Sequence, residues 1–356
     1  MKPIPLLALQ KMPGIGTKTI EKVLSLPNID ESATPEELID ILKTAKASFG
    51  KIIVPDIQAA QIAWKKAHYI WEISKEHNIH IITRGEDEYP ELLAQIPDSP
   101  ALLHVKGNIN ALKKDCIAII GTRKPIEFSK AQARKISSSY ASEGYAVISG
   151  LAAGIDTAAH RGALDVDGTT IAVLAHGLDT IYPASNRELA ESILNKNGAL
   201  ISEYPYGTKI NQSYFVARDR IQSGLSLGVF VIETNIKGGT MHTVNFSEKQ
   251  KRALYVLKHP EILKNNPNIA GNAQLIEGKR GIAFDADNDI SSIKIELERV
   301  KHKFNSKLFL QSVQEWETFN KISEASESEK NSLLEKQMND EVKKKKTIKT
   351  TFADFL

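Results

Sequence analysis

Residues 149–164, Ser-Gly-Leu-Ala-Ala-Gly-Ile-Asp-Thr-Ala-Ala-His-Arg-Gly-Ala-Leu, narrow the possible folds of this chain more than any other segment. An apolar strand pattern, Tyr145 to Ile148, runs out just before them. Gly150 and Gly154 flank a short turn, and a helix with small residues on its face opens near Asp156. A strand that ends in glycines and opens a helix is how an α/β sheet builds an anion site. The turn leaves backbone N–H groups at the positive end of the helix dipole, and glycine lets a phosphate approach them closely. Arg161 follows one turn later, so Ser149, Gly150, Gly154 and Arg161 are candidate anion-binding residues.

Four further segments share the design. Gly121-Thr122-Arg123-Lys124 ends a strand with a flexible turn, a hydroxyl and two cations. Val173 to Asn186 is followed by Arg187 at the start of a helix. Phe215 to Ser226 carries Arg218 and Arg220 in a loop before a strand, with side chains expected to face solvent. Glu233 to Thr240 is glycine-rich, with Lys237, Gly238, Gly239 and Thr240 opening a helix. Several arginines beside glycine turns on one rim indicate a polyanion groove. Few aromatics interleave these cations, which points to phosphate contacts rather than base stacking.

The surrounding pattern is α/β. Candidate strands Cys116–Gly121, Tyr145–Gly150, Thr169–Ala175, Ala199–Ser202, Leu227–Glu233, Ala253–Leu257 and Gly281–Phe284 alternate with amphipathic stretches such as Ser129–Glu143 and Asn186–Asn195. Near-continuous apolar strands separated by helices predict an extended Rossmann-like, mostly parallel sheet with helices on both faces. Ligands then bind outside the carboxyl ends of the strands. This core is expected over 113–288. Residues 1–75 read as a small helical domain, in which Pro13-Gly14-Ile15-Gly16 joins two amphipathic halves as in a helix-hairpin-helix. That hairpin either presents N–H groups to a DNA phosphate, with Lys18 nearby, or only packs. Ser32 and Thr34-Pro35-Glu36-Glu37 look like the cap and first turn of another helix. A connecting segment, 76–112, contains strand patterns at Ile79–Thr83 and Ala101–Lys106. Helices are expected over 289–322, and a disordered basic tail with the run Lys343–Lys346 over 323–356.

The net charge of +3 is too mild to argue for nucleic-acid binding from the total, so any such binding must come from a local patch. The single cysteine, Cys116, excludes an intrachain disulfide and fits a reducing cytoplasm. The first residues lack the apolar run of a signal peptide, and no membrane span is expected. GxGxxG with its distal acid and Walker A are both missing, and His77-x-x-His80 lacks the further ligands of a zinc site. No cofactor, metal or catalytic residue is expected.

The clusters, in this order, resemble the DprA/Smf family of DNA-processing proteins. The matching runs are Gly121-Thr122-Arg123, SGLAAGID and AHRGAL within 149–164, GLDTIYPASN at 177–186, RDRIQSGLS at 218–226 and GGTMHT at 238–243. The resemblance spans residues 80 to 285 or so and implies a Rossmann core that dimerises and binds single-stranded DNA in the cytoplasm. It also implies a role in natural transformation and DNA recombination, with a RecA-type recombinase as partner. A homodimer contact is expected around Gly271 to Phe284. The chain departs from the family pattern at Val216 (proline), Asp219 (asparagine), Gln222 (isoleucine) and Ala175 (glycine). Such divergence fits a specialised paralogue, with a phage-defence role open. The alternative function is a nucleotide sensor, or a nucleotide N-glycosidase similar to the LOG group. That reading draws on Glu233 with Lys237-Gly-Gly-Thr240, and on an Asp156–His160 acid/base pair.

Overall fold

The computed structural model describes residues 1–26, 33–285, 290–302 and 304–305. The expected capping role of Ser32 and the expectations for 323–356 lie outside the described residues. The chain divides into two units, Met1–Leu297 and Glu298–Leu356; in the second, 298–302 and 304–305 are described, and they are helical.

The most apolar strands become the centre of the sheet. β3 (Cys116–Gly121), β4 (Ala146–Ser149), β5 (Thr170–Val173), β6 (Ala199–Ser202), β7 (Gly228–Glu233), β8 (Ala253–Leu257) and β9 (Ile282–Phe284) are separated by helices, so successive strands enter from the same end. They pair in parallel in the order β6-β5-β4-β3-β7-β8-β9. β1 (Ile79–Thr83) and β2 (Leu102–Gly107), with the short helix α5 (Glu91–Ala94) between them, extend the sheet to nine strands by antiparallel pairing onto β6. The result is the Rossmann-like, mostly parallel sheet that the strand–helix alternation predicts. β3, β4 and β7 are buried along nearly their whole length because helices cover both faces.

The N-terminal helices are set by local chemistry. α1 (Pro3–Lys11) and α2 (Thr17–Leu24) flank the Pro13–Gly16 turn, where Gly14 adopts φ +77°. α3 (Pro35–Phe49) begins with a reciprocal capping box. Glu37 N donates to Thr34 Oγ1 at 3.4 Å, and Thr34 N donates to Glu37 Oε2 at 2.7 Å. α4 (Ile57–Glu76) is capped by Asp56, which accepts from Ala59 N at 2.7 Å. Their apolar faces share one cluster with Ile81, Ala101 and Leu102, so the helices pack onto the antiparallel end of the sheet.

Between β3 and β5, α6 (Glu127–Ser142) and α7 (Ile155–Asp165) pack at backbone distance because small residues line their contact. A Cβ at Gly162 would lie 2.2 Å from the Arg134 carbonyl oxygen. Ser138 Oγ donates to Gly162 O at 2.7 Å, Ser137 Oγ donates to Ala159 O, and Arg134 pairs with Asp165. Gly162→Ala should therefore destabilise the protein by about 1–3 kcal/mol, since the overpacked atom meets backbone. In urea unfolding the midpoint should fall at unchanged m.

Candidate nucleic-acid interface

β3 lies between β4 and β7. The chain leaves it through α6 toward β4 and later returns through α9 (Gln212–Gly224) to β7 on the other side. At such a reversal the loops beyond the strand carboxyl ends diverge and open a crevice. The β3–α6, β4–α7, β5–α8 and β7–α10 loops meet there, α8 being Arg187–Asn195 and α10 Thr240–Lys249.

The β4–α7 turn is held from inside. Gly150 N and Ala152 N both donate to Asp156 Oδ2, at 3.1 and 3.3 Å. From α9, Arg218 Nη1 donates to Gly150 O at 3.0 Å and to Val173 O, and its Nε donates to Asp219 Oδ1 at 3.2 Å. A Cβ at Gly150 would lie 2.3 Å from Arg218 Nη1, so glycine is needed for the guanidinium rather than for a phosphate. Arg220 makes a two-pronged pair with Glu203 and donates to Asp98 O and Ala217 O.

These contacts correct the sequence expectation for Arg218 and Arg220. They lie within a helix, not a loop, and at 5% and 7% exposure they do not face solvent. The physical reason is that strand-end carbonyls and buried carboxylates satisfy a guanidinium as phosphate oxygens would. Ser149 is likewise buried, its Oγ donating to Ile119 O at 2.8 Å. Gly121 faces the Ile155 side chain, 2.5 Å from its would-be Cβ, and Gly154, at φ +85°, lets the Thr122 and Arg123 backbone approach α7. Arg161 is exposed in the second turn of α7, near Asp165 and about 9 Å along the helix from the strand ends. Asp156 and His160 do not act as a pair, because His160 Nδ1 bonds Thr170 Oγ1 at 2.7 Å while Asp156 holds the turn.

Arg123, Lys124, Arg187 and Lys237 remain exposed at the strand-end rim, and none forms an ion pair with a described residue. Lys124 N donates to Thr122 Oγ1 at 3.3 Å, which tightens the turn that carries both cations. Arg187 is the first residue of α8, where the helix dipole opposes a cation and favours an anion beside it. The neighbouring Asn186 side chain donates to Leu151 O at 2.8 Å, tying that helix start to the β4–α7 turn. Gly238 packs against the Thr234 and Asn235 side-chain oxygens, whereas Gly239 is open at the uncapped start of α10, just before Thr240.

Aromatic residues complete the rim, contrary to the reading of few interleaved aromatics. The Arg123 guanidinium sits over the Phe215 ring at 5.4 Å. Phe215 meets Tyr182 at 5.9 Å, and Tyr182 is 42% exposed. Tyr204 and Tyr214 stack at 4.2 Å close by in sequence. Sequence reasoning passed over Phe215 and Tyr182 because they lie far apart in the chain, although each stands in a motif run. A cation over an aromatic ring, with further cations around it, can hold a phosphate and stack a base together.

The two departures at Asp219 and Gln222 touch each other. With its nitrogen turned to Asp219, the Gln222 amide donates to Oδ1 at 3.2 Å and accepts from Gly150 N at 2.8 Å. Burial pushes the Asp219 carboxyl up to about 6, against the pull of Arg218 and with the push of Asp156. The folded state therefore binds a proton more tightly than the unfolded chain, and stability falls as pH rises from about 4 to 6. Asp219→Asn should abolish this pH dependence, leaving stability flatter between about pH 4 and 6 than in the wild type. Urea unfolding of both proteins across that range measures it.

The DNA recombination-mediator protein A family model matches residues 80–294. Protein Smf of Synechocystis sp. is 39% identical over 202 residues, which cover 56% of this chain and 49% of that protein. DNA processing protein DprA of Bacillus subtilis is 36% identical over 184 residues, 51% of this chain and 62% of that one. The chain thus spans about half the length of the first, and more of the second. DNA processing protein A from Streptococcus pneumoniae superposes with a TM-score of 0.66 at 28% identity, covering 80% of this chain and 95% of that one. The Helicobacter pylori protein, whose structure addresses its single-stranded DNA binding mode, gives 0.55 at 28% identity, covering 61% and 97%. A parallel sheet that reverses at β3, motif loops gathered at its strand ends and a match through the whole core agree: the chain belongs to the DNA recombination-mediator protein A (DprA/Smf) family.

Proposed function

We propose that this protein binds single-stranded DNA at the strand-end rim, without catalysis, and serves DNA recombination by presenting the strand to a RecA-type recombinase. The carrying observation is Arg123 over Phe215, whose ring meets Tyr182, on a rim that also carries Lys124, Arg187 and Lys237 without acidic partners among the described residues. The single-stranded DNA binding mode of the Helicobacter pylori relative supports the same ligand class. Phosphates meet the cations and the uncapped start of α10, while a base stacks on the exposed Tyr182 and the half-buried Phe215 beside it. Arg218 and Arg220 act indirectly, by shaping the floor beneath.

Fluorescence anisotropy with oligo-dT tests the reading. Arg123→Ala is expected to weaken binding about tenfold or more, through loss of a charge-assisted phosphate contact. Phe215→Ala should cost about tenfold through lost stacking. With about four phosphates neutralised, at roughly −0.7 each, log affinity should fall against log salt with a slope of about −3. Wild-type affinity in both variants, or a salt-independent affinity, would exclude this site. Release of base from a nucleoside monophosphate would favour an enzyme instead.

The dimer belongs to the same proposal. β9 is one of the two edge strands among the described residues, its Ile282 is 57% exposed, and an edge strand is a template for a second chain. Light scattering at micromolar concentration should show a dimer, and Ile282→Asp a monomer. A monomeric wild type refutes the contact.

A further inference from the structure

We infer that Glu233 is a positioning residue that holds the Arg123 loop in its DNA-binding conformation. This rests on the proposed single-stranded DNA site and goes beyond it, because Glu233 is fully buried and cannot touch the strand.

The loop from Thr122 to Ile126 is attached to Glu233 at both ends. Thr122 N donates to the Glu233 backbone oxygen at 2.9 Å, and Ile126 N donates to Glu233 Oε2 at 3.1 Å. Between these anchors stand Arg123 and Lys124, the cations of the rim. At this point the β3–β7 register shifts between Ile120 and Gly121, so the strand ladder no longer dictates the path of the loop. A side chain must take over that task, and the carboxylate does so.

The carboxylate is itself held. Burial pushes the Glu233 carboxyl above the usual carboxylate range, and Ser129, in the first turn of α6, together with the Ile126 N–H, pulls it part of the way back. Ser129 Oγ in turn bonds His259 Nε2 at 2.8 Å, and the His259 ring meets Phe128 at 5.7 Å. The loop that carries Arg123 is thus registered against the ends of β7 and β8 as well as its own strand. Release of the Ile126 anchor frees the Arg123 backbone, and the guanidinium loses its fixed seat over Phe215.

A double-mutant cycle read by oligo-dT anisotropy, with thermal unfolding of each variant alongside, tests this. Glu233→Ala should weaken binding about tenfold, and Glu233→Gln, which still accepts from Ile126 N, should stay close to wild type. In an Arg123→Ala background, Glu233→Ala should add little. Ile126→Pro offers a second route if Glu233→Ala does not fold. Its φ of −70° suits a proline ring, and the substitution removes the same N–H while leaving the carboxylate in place. It should reproduce the loss. If Arg123→Ala binds like wild type, the site itself is misassigned and the positioning role falls with it. If Arg123→Ala weakens binding but Ile126→Pro and the Glu233 variants do not, or if their losses are undiminished without Arg123, the positioning role alone is overturned.

Discussion

A guanidinium buried between strand ends organises the site. Arg218 reaches from α9 under the β4–α7 turn, bonds the Gly150 carbonyl just past β4 and the last carbonyl of β5, and faces both Asp156 and Asp219. A buried charge is tolerable only when it is paired and its N–H groups are taken. The need for that pairing explains residues that otherwise look unrelated. Gly150 must lack a Cβ to admit the guanidinium, and Asp156 must cap the turn and balance the charge. Two motif runs nearly 70 residues apart are therefore halves of one contact.

With the conspicuous arginines spent inside, the proposed binding rim is left to residues in looser settings. Arg123 and Lys124 ride a turn anchored to Glu233, Arg187 sits at a helix start, and Lys237 precedes the open start of α10. A firm floor beneath a charged rim suits a flexible polyanion. The cations stay exposed, and in the proposed binding mode the pair of Phe215 and Tyr182 offers a stacking surface that any base can use. The same economy accounts for Asp219, which would repel a strand if exposed but here faces Arg218 and Gln222.

Much of the fold was legible in the chain. Apolar runs of strand length, glycine turns at their ends and helical stretches between them are local signals, and they mark β3 to β9 and the parallel arrangement. The helix α9 escaped because its buried face is made of Arg218, Arg220, Gln222 and Ser223 along with Ile221, so no apolar periodicity announces it. The antiparallel attachment of β1 and β2 to β6 was also hidden, since pairing partners far apart in sequence leave no local trace.

The candidate site divides along the same line. Residue types and turn chemistry identified the strand-end loops, because a glycine turn that opens a helix has the same electrostatics in any context. Whether an arginine in such a loop serves a ligand or the protein's own carbonyls depends on which acceptors the fold brings beside it. Arg218 and Arg220 found Val173, Gly150, Glu203 and Asp98, whereas Arg123 found, among the described residues, an aromatic ring. Those neighbours come from distant parts of the chain, and only the packed tertiary structure assembles them.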